Sequence, residues 1–314
     1  MSNIRTVVVD PAAPQRLAIR EVAAPAPLPS EALVRVAAIS LNLGEVRRTT
    51  TAEAGWRPGW DFAGVVEQAA ADGTGPQKGA RVVGMLGAGA WAELVAAPVN
   101  ILAELPQNVS FAQAATLPVA GLTAYRTLGK GGLLLGRRVL ITGATGGVGH
   151  FAVQLARQAG AYVVGTARRP ERAAMVSEAG AHQVVVGEDL EAARQYGPYH
   201  LILDSIGGQV LGKALSMLAP DSTCVNFGVS GSGEATFELR SFFTTGGANF
   251  YGFILFHELE RKAGAEDLGV LASLVADGRL RPTIDREASW TEISSAVQQM
   301  LERRFTGKIV LKLE

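Results

Sequence analysis

Between residues 138 and 158 the chain reads RVLITGATGGVGHFAVQLARQ: a short apolar run, a glycine-rich turn, then apolar residues at helical spacing. Gly143, Gly146 and Gly149 recur at every third position, after the strand pattern and before the helix pattern. A pyrophosphate needs backbone N–H groups aimed at it with no side chain in the way. A helix N-terminus preceded by glycines meets both needs and adds the positive end of the helix dipole. On the G-x-G-x-x-G fingerprint the register is Ala144-x-Gly146-x-x-Gly149, with alanine in place of the first glycine. Alone, the triplet is equally a tight strand-to-helix turn. The second strand pattern close behind, AYVVGT at 161–166, turns the stretch into a βαβ unit of a dinucleotide-binding domain.

The residues after that second strand bear on which dinucleotide. In NAD-binding units an acid about 20 positions past the glycines accepts from the ribose hydroxyls. Here the strand ends Thr166-Ala167-Arg168-Arg169, with no acid until Glu171. A carboxylate would repel a 2′-phosphate, whereas a guanidinium pairs with it through two N–H groups. NADPH is favoured, against the alternative that Arg168 and Arg169 are two solvated arginines opening a helix.

The texture of the chain changes along its length. Residues 1 to about 105 give short β segments between Gly/Pro turns (IRTVVVD, LAIREV, ALVRVAAI, DFAGVVEQA, ARVVGML, WAELVA), which predict an all-β, barrel-like domain. Beyond Pro118 strand-like and helical patterns alternate, the mark of a parallel sheet covered on both faces. In the last 55 residues, Ser289-Trp-Thr-Glu292 reads as a capping box before a helix with an apolar face of Ile293, Ala296, Val297, Met300 and Leu301, and KIVLKL as a final strand. One helix and one strand make too small a core, so this tail is expected to pack back on the β domain. The expected division is 1–117 with 257–314, and 118–256.

Composition excludes several classes. Lys+Arg and Asp+Glu both number 29, so nothing favours a nucleic-acid or membrane-surface partner. Cys224 is the one cysteine, no apolar run is long enough to span a bilayer, and MSNIRTVVVD lacks a signal-peptide pattern. A soluble, reduced, cytoplasmic protein is expected. Residues 1–149 contain neither cysteine nor histidine, so this half cannot build a zinc site of the usual ligands, and no metal is expected. His150, His182, His200 and His257 lie scattered in the second half, and HELE at 257–260 is not H-E-x-x-H.

The segments SLNLGEVRR (40–48), PGWDFAGVVE (58–67), TLPVAGLTAYRTL (116–128), ITGATGGVG (141–149), VNFGVSGS (225–232) and TGKIVLKLE (306–314) together resemble the quinone oxidoreductase, zeta-crystallin-like branch of the medium-chain dehydrogenase/reductase superfamily. The resemblance spans essentially the whole chain. It implies an α/β protein with a GroES-like β-barrel domain and a Rossmann, doubly wound parallel-sheet domain, NADPH in the cleft between them, and metal-free hydride transfer to a quinone or enone. Carried over by position, Asn42 matches a residue near the nicotinamide ribose and Thr123 one facing the nicotinamide ring. Thr145, Gly146, Gly147 and Val148 match the pyrophosphate loop, with Thr166 at the next strand end. Phe227 and Gly228 match a strand end beside the cofactor, Phe253 the segment flanking the carboxamide, and Lys308 a recurrent lysine near the cleft.

Two departures stand out. Arg47 occupies a position where some members carry tyrosine, and Gly187 one where a tyrosine supports the 2′-phosphate. Without metal, hydrogen-bond donors must polarise the substrate oxygen, and Asn42, Arg47 and Arg48 are the candidates. The apolar, aromatic strand NFYGFIL at 249–255 is expected near a sheet edge, hence a homodimer. An enoyl reductase of a biosynthetic pathway, a zinc-free carbonyl reductase and a non-catalytic NADPH-binding protein remain open alternatives.

Overall fold

The computed structural model of the chain describes residues 3–313, so Glu314 of the last resembling segment lies outside it. The chain divides into two compact units, Met1–Leu122 with Leu259–Glu314, and Thr123–Glu258.

The first unit opens with an antiparallel pair, β1 (Asn3–Val9) and β2 (Leu17–Ala23). There follow β3 (Glu31–Ser40), helix α1 (Leu43–Thr49), β4 (Asp61–Gln68), β5 (Arg81–Met85), β6 (Leu94–Pro98), β7 (Ala103–Glu104) and helix α2 (Phe111–Ala115). The long strand β3 is the hub, pairing antiparallel with β4 and with β6. Its inward residues Ala32, Val34 and Val36 are buried, the period-two signature of a strand with one face on a core. Arg47 and Arg48 stand in the last turn of α1. The Asn42-x-x-Glu45 spacing nucleates that turn: Glu45 Oε1 accepts from the Asn42 backbone N–H at 2.7 Å.

The second unit contains helix α3 (Leu122–Gly129, its first residue aside), β8 (Arg138–Ile141), α4 (Gly147–Gln158), β9 (Tyr162–Ala167), α5 (Ala173–Glu178), β10 (Gln183–Val186), β11 (Tyr199–Asp204), α6 (Gly208–Leu215), β12 (Leu218–Asn226), α7 (Leu239–Thr244), β13 (Asn249–Gly252) and the start of α8 (Leu255–Arg261). Its six-stranded sheet has the order β10-β9-β8-β11-β12-β13 with every pair parallel. This is the doubly wound order of a Rossmann domain, with the strand sequence reversing direction between β8 and β11. Val163, Val164, Leu201, Ile202 and Leu203 are fully buried, as expected of strands covered on both faces. β13 ends the sheet, so the NFYG part of NFYGFIL lies at an edge, while Leu255 already begins α8.

The return segment is richer than one helix and one strand. It adds α9 (Ala265–Ala276) and β14 (Ile284–Ser289) before α10 (Ile293–Leu301) and β15 (Lys308–Lys312). β15 pairs antiparallel with β3, placing Val310 opposite Ser40, while β14 runs parallel beside it. Trp290, Ile293, Val297, Met300, Ile309 and Leu311 share one core with Ile39, Leu41, Phe62 and Trp91. The expected capping box at Ser289 is not formed. The first turn there is a tight 3₁₀ turn, Trp290–Glu292, so the Ser289 hydroxyl accepts from Thr291 N–H, and Glu292 pairs with Arg286 rather than reaching back. No helix among the described residues is long and apolar enough to cross a membrane.

Candidate functional site

In the second unit the polar groups collect at the C-terminal ends of the parallel strands. After β8 the chain turns through Gly143, whose φ of +63° favours glycine, and enters α4 with Gly146 as N-cap. No side chain caps this helix and its first turn holds no acid, so its N–H groups and dipole are left for an external anion. A Cβ on Gly149 would lie 2.3 Å from the Gly143 carbonyl oxygen, whereas one on Gly146 would meet nothing nearer than that oxygen at 3.4 Å. Gly149 therefore serves close packing of helix on loop, and Gly146 an open approach. Thr145, Gly146, Gly147 and Val148 are all partly exposed along this turn.

The loop is bonded to the end of β9: Gly143 N–H donates to Thr166 Oγ1 at 3.1 Å and Ala144 N–H to the Thr166 carbonyl at 3.2 Å. Two residues on, Arg168 and Arg169 are exposed, and among the described residues neither side chain is held by a hydrogen bond or an ion pair. Gly187 closes β10 beside them, its N–H on the Ala167 carbonyl at 3.0 Å. Its φ of +116° disfavours any side chain there, tyrosine included.

On the other side of β8, Asp204 is fully buried and clips three strand ends together. It accepts from Thr142 Oγ1 at 2.7 Å, Asn226 Nδ2 at 2.8 Å and Gly207 N–H at 2.9 Å. Phe227 then hangs its N–H on the Asp204 carbonyl at 2.9 Å, Gly228 accepts from Asn226 Nδ2 at 2.9 Å, and the buried Phe253 donates its N–H to the Asn226 carbonyl at 2.8 Å. The structure thus gathers Thr145 to Val148, Thr166, Arg168, Arg169, Phe227, Gly228 and Phe253 at the C-terminal end of one sheet, where open α/β sheets bind ligands. Thr123 sits buried in α3, its carbonyl accepting from Thr127 Oγ1 at 2.7 Å. His150, in α4, is buried, and burial pulls its pKa down to about 4.

The first unit holds a separate charged cluster that joins Asn42 to Lys308. Lys308 Nζ donates to Asn42 Oδ1 at 2.6 Å and to the Leu41 carbonyl at 2.9 Å, and lies 3.4 Å from Asp61 Oδ2. Asn42 Nδ2 donates to Glu45 Oε1 at 3.0 Å and to Asp61 Oδ2 at 2.8 Å. Burial and the neighbouring Asp61 carboxylate push the Glu45 pKa well up. Burial also raises Asp61, opposed by Lys308, Asn42 and the Val119 N–H, and lowers Lys308, opposed by Asp61. Both hydrogens of the Asn42 amide are engaged here, which leaves it no donor for a substrate oxygen. Arg47 is exposed, and Arg48 stacks its guanidinium 4.8 Å from the centre of the Trp56 ring. Glu45, Asp61 and Asp204 are the residues that sequence reasoning passed over. A capping-box spacing marked Glu45, and an acid set in apolar strand sequence marked Asp61 and Asp204.

Zinc does not fit these donors. Among the described residues no three His, Cys, Asp or Glu side chains come together to hold a metal ion, and the cation beside Asp61 is the ammonium of Lys308.

Residues 28–107 match the family model of the alcohol dehydrogenase GroES-like domain, and residues 147–269 that of the zinc-binding dehydrogenase. The chain belongs to the medium-chain dehydrogenase/reductase superfamily, oxidoreductases that use a nicotinamide cofactor. It is 34% identical over 297 residues to the spectinabilin polyketide synthase system protein NorB of Streptomyces orinoci, covering 92% of this chain but only 13% of that protein. It is 29% identical over 314 residues to the chloroplast envelope quinone oxidoreductase homolog of Arabidopsis thaliana, covering 93% and 92% of the two chains. The structure of the quinone oxidoreductase from Coxiella burnetii superposes with a TM-score of 0.84 at 26% identity, over 100% of both chains.

Proposed function

We propose that this chain is an NADPH-dependent, metal-independent reductase of conjugated carbonyl compounds: quinones, or α,β-unsaturated ketones and aldehydes. The observation that carries the reading is the glycine loop after β8. Residue 149 has no room for a side chain, the start of α4 carries no cap, and two arginines with no partner among the described residues follow the strand end to which the loop is bonded. When bound, NADPH supplies a hydride to the substrate.

The chain's own residues bind and orient. The N–H groups of Gly146, Gly147 and Val148 take the pyrophosphate, and Arg168 and Arg169 the 2′-phosphate. Phe227, Gly228 and Phe253 flank the nicotinamide end, and Thr123 faces its ring. Asn42, held by Lys308, has one lone pair of Oδ1 left to accept from a ribose hydroxyl. Hydride addition to a conjugated carbon drives negative charge onto oxygen, where hydrogen-bond donors suffice. Arg47 and Arg48, with backbone N–H groups, are the donors that remain among the candidates. Water supplies the proton, since enolate and quinol products need no dedicated acid.

The similarity to a polyketide synthase system protein supports a second reading, in which the substrate is an enoyl thioester of a biosynthetic pathway. A homodimer completes the proposal. β13 is paired on one side by β12, and Phe243, Phe250 and Ile254 nearby are 65%, 51% and 66% exposed, an apolar surface that a second copy would cover.

NADPH oxidation against quinones, enones, enoyl thioesters and simple ketones, with products identified by mass, tests this. Turnover of quinones or enones is the expected result, and turnover confined to enoyl thioesters selects the second reading. Turnover of simple ketones alone, or tight NADPH binding with no turnover, overturns the proposal.

A further inference from the structure

Asn42 is 8% exposed, and its amide meets three polar or charged side chains from three elements of the first unit. Lys308, on β15, donates to Oδ1 at 2.6 Å, while Glu45, in α1, and Asp61, on β4, accept from Nδ2 at 3.0 and 2.8 Å. An ammonium only donates, and an ionised carboxylate only accepts. The two ends of the amide are therefore not interchangeable. Turning it over would set an NH₂ group against Lys308 and an oxygen against Asp61. Each of the three is itself anchored by backbone: Lys308 by the Leu41 carbonyl at 2.9 Å, Asp61 by the Val119 N–H at 2.9 Å, and Glu45 by the Asn42 N–H at 2.7 Å.

We propose that Glu45, Asp61 and Lys308 are positioning residues that hold the Asn42 amide in a single polarity, so that it meets the cofactor as an acceptor at Oδ1 and cannot donate. The identity of the ligand rests on the function proposed above, whereas the polarity of the amide does not.

The charge state of the cluster follows from the same contacts. Two carboxyls and one ammonium, all fully buried, would leave one negative charge in excess if each were ionised. Asp61 has the ammonium, an amide and a backbone N–H to stabilise its charge, while Glu45 faces burial and a neighbouring carboxylate. The proton therefore resides on Glu45. Its Oε1 already accepts two N–H groups, so Oε2 carries it. Lys308 and Asp61 form the ion pair of a neutral cluster.

Four variants test this, each read by thermal unfolding, by NADPH titration and by the steady-state rate of NADPH oxidation with a quinone. Glu45→Gln is isosteric with a protonated carboxyl and keeps an acceptor for both N–H groups, so its unfolding midpoint changes far less between pH 8 and pH 5 than that of Asn42→Asp. Lys308→Met removes the donor that fixes the oxygen and raises the KM for NADPH about tenfold with a smaller change in kcat. Asn42→Asp adds a third carboxylate, lowering the unfolding midpoint at pH 8 far more than at pH 5. Adding Asp61→Asn to Asn42→Asp restores the charge count while still accepting the Val119 N–H, so it recovers most of the lost midpoint and affinity.

Should Lys308→Met fail to fold, the Asn42→Asp and Asp61→Asn pair decides alone. The proposal is overturned if Glu45→Gln is as damaging as Lys308→Met, or if the double variant is no better than Asn42→Asp. If wild type binds no NADPH, the functional reading falls, and the unfolding midpoints still decide the amide's polarity.

Discussion

Gly149 rests on Gly143 so closely that a Cβ at 149 would stand 2.3 Å from the Gly143 carbonyl oxygen and 2.7 Å from the Cα of Ala144. Both obstacles are backbone, so no side chain can swing aside. Gly149→Ala must push α4 off the loop, at a cost of about 1–3 kcal/mol of stability, and with it disturb the N–H groups proposed to take the pyrophosphate. Gly146→Ala, with its nearest neighbour at 3.4 Å and a φ of −84°, leaves stability within about 0.5 kcal/mol and weakens only cofactor binding. Urea unfolding and NADPH titration of the two variants check this pattern.

Arg168 and Arg169 stand exposed beyond the strand end that holds the glycine loop. With the 2′-phosphate role proposed for them, replacing both with alanine should lose charge-assisted contacts of about 1.5–3 kcal/mol, roughly ten- to a hundredfold in NADPH affinity. NADH affinity stays nearly unchanged. Equal losses for both cofactors would show that the arginines do not read the phosphate.

The loop and its arginines were legible because their determinants are local: glycines, strand and helix within 30 residues of one another. The Asn42 cluster was not, because Lys308 lies 247 residues from Asp61, and only the pairing of β15 on β3 brings them together. Asn42 illustrates the difference. Its residue type gives two donors and an acceptor, but Glu45 three residues on and Asp61 across the sheet engage both donors, while Lys308, 266 residues away, fixes the acceptor. Helix α9 was missed for another reason. LGVLASLVA is apolar nearly throughout, so its buried face of Leu268, Leu271, Ala272 and Val275 makes no contrast in the sequence.

His150 ties stability to pH. Burial lowers its pKa from the model-compound 6.5 to about 4, so the folded state keeps it neutral where the unfolded chain is already protonated. The stabilisation is complete above the unfolded pKa and is lost as pH falls from there towards the folded one. Between pH 7 and pH 5 the loss from this residue is about 2 kcal/mol. His150→Gln, compared with wild type by urea unfolding at both pH values, should lack that increment. An identical pH response in the two proteins would remove His150 as its source.

Exposed Phe243 and Phe250 predict self-association. Light scattering at micromolar concentration should give the mass of a dimer, and Phe250→Lys, which sets a charge on the edge strand β13, should shift the equilibrium to monomer while leaving NADPH binding intact. A wild-type monomer under these conditions rejects the dimer.

The chemistry leads to a prediction about metal. An isolated ketone concentrates the charge of hydride addition on one oxygen and gains most from a Lewis acid, whereas a quinone or enone spreads it through conjugation. This chain offers no histidine or cysteine before residue 150, and the buried Asp61 of the first unit already holds the ammonium of Lys308. Turnover of a quinone or enone with NADPH should therefore be unchanged after dialysis against excess EDTA, and added zinc should not raise it. Simple alcohols and unconjugated ketones should turn over weakly or not at all, with or without zinc. The measurement is the rate of NADPH oxidation in matched chelated and zinc-supplemented samples, with the saturated bond located in the product. Activity that disappears on chelation and returns with zinc would mean that the metal is held by donors other than these, and that hydrogen bonds alone do not polarise the substrate.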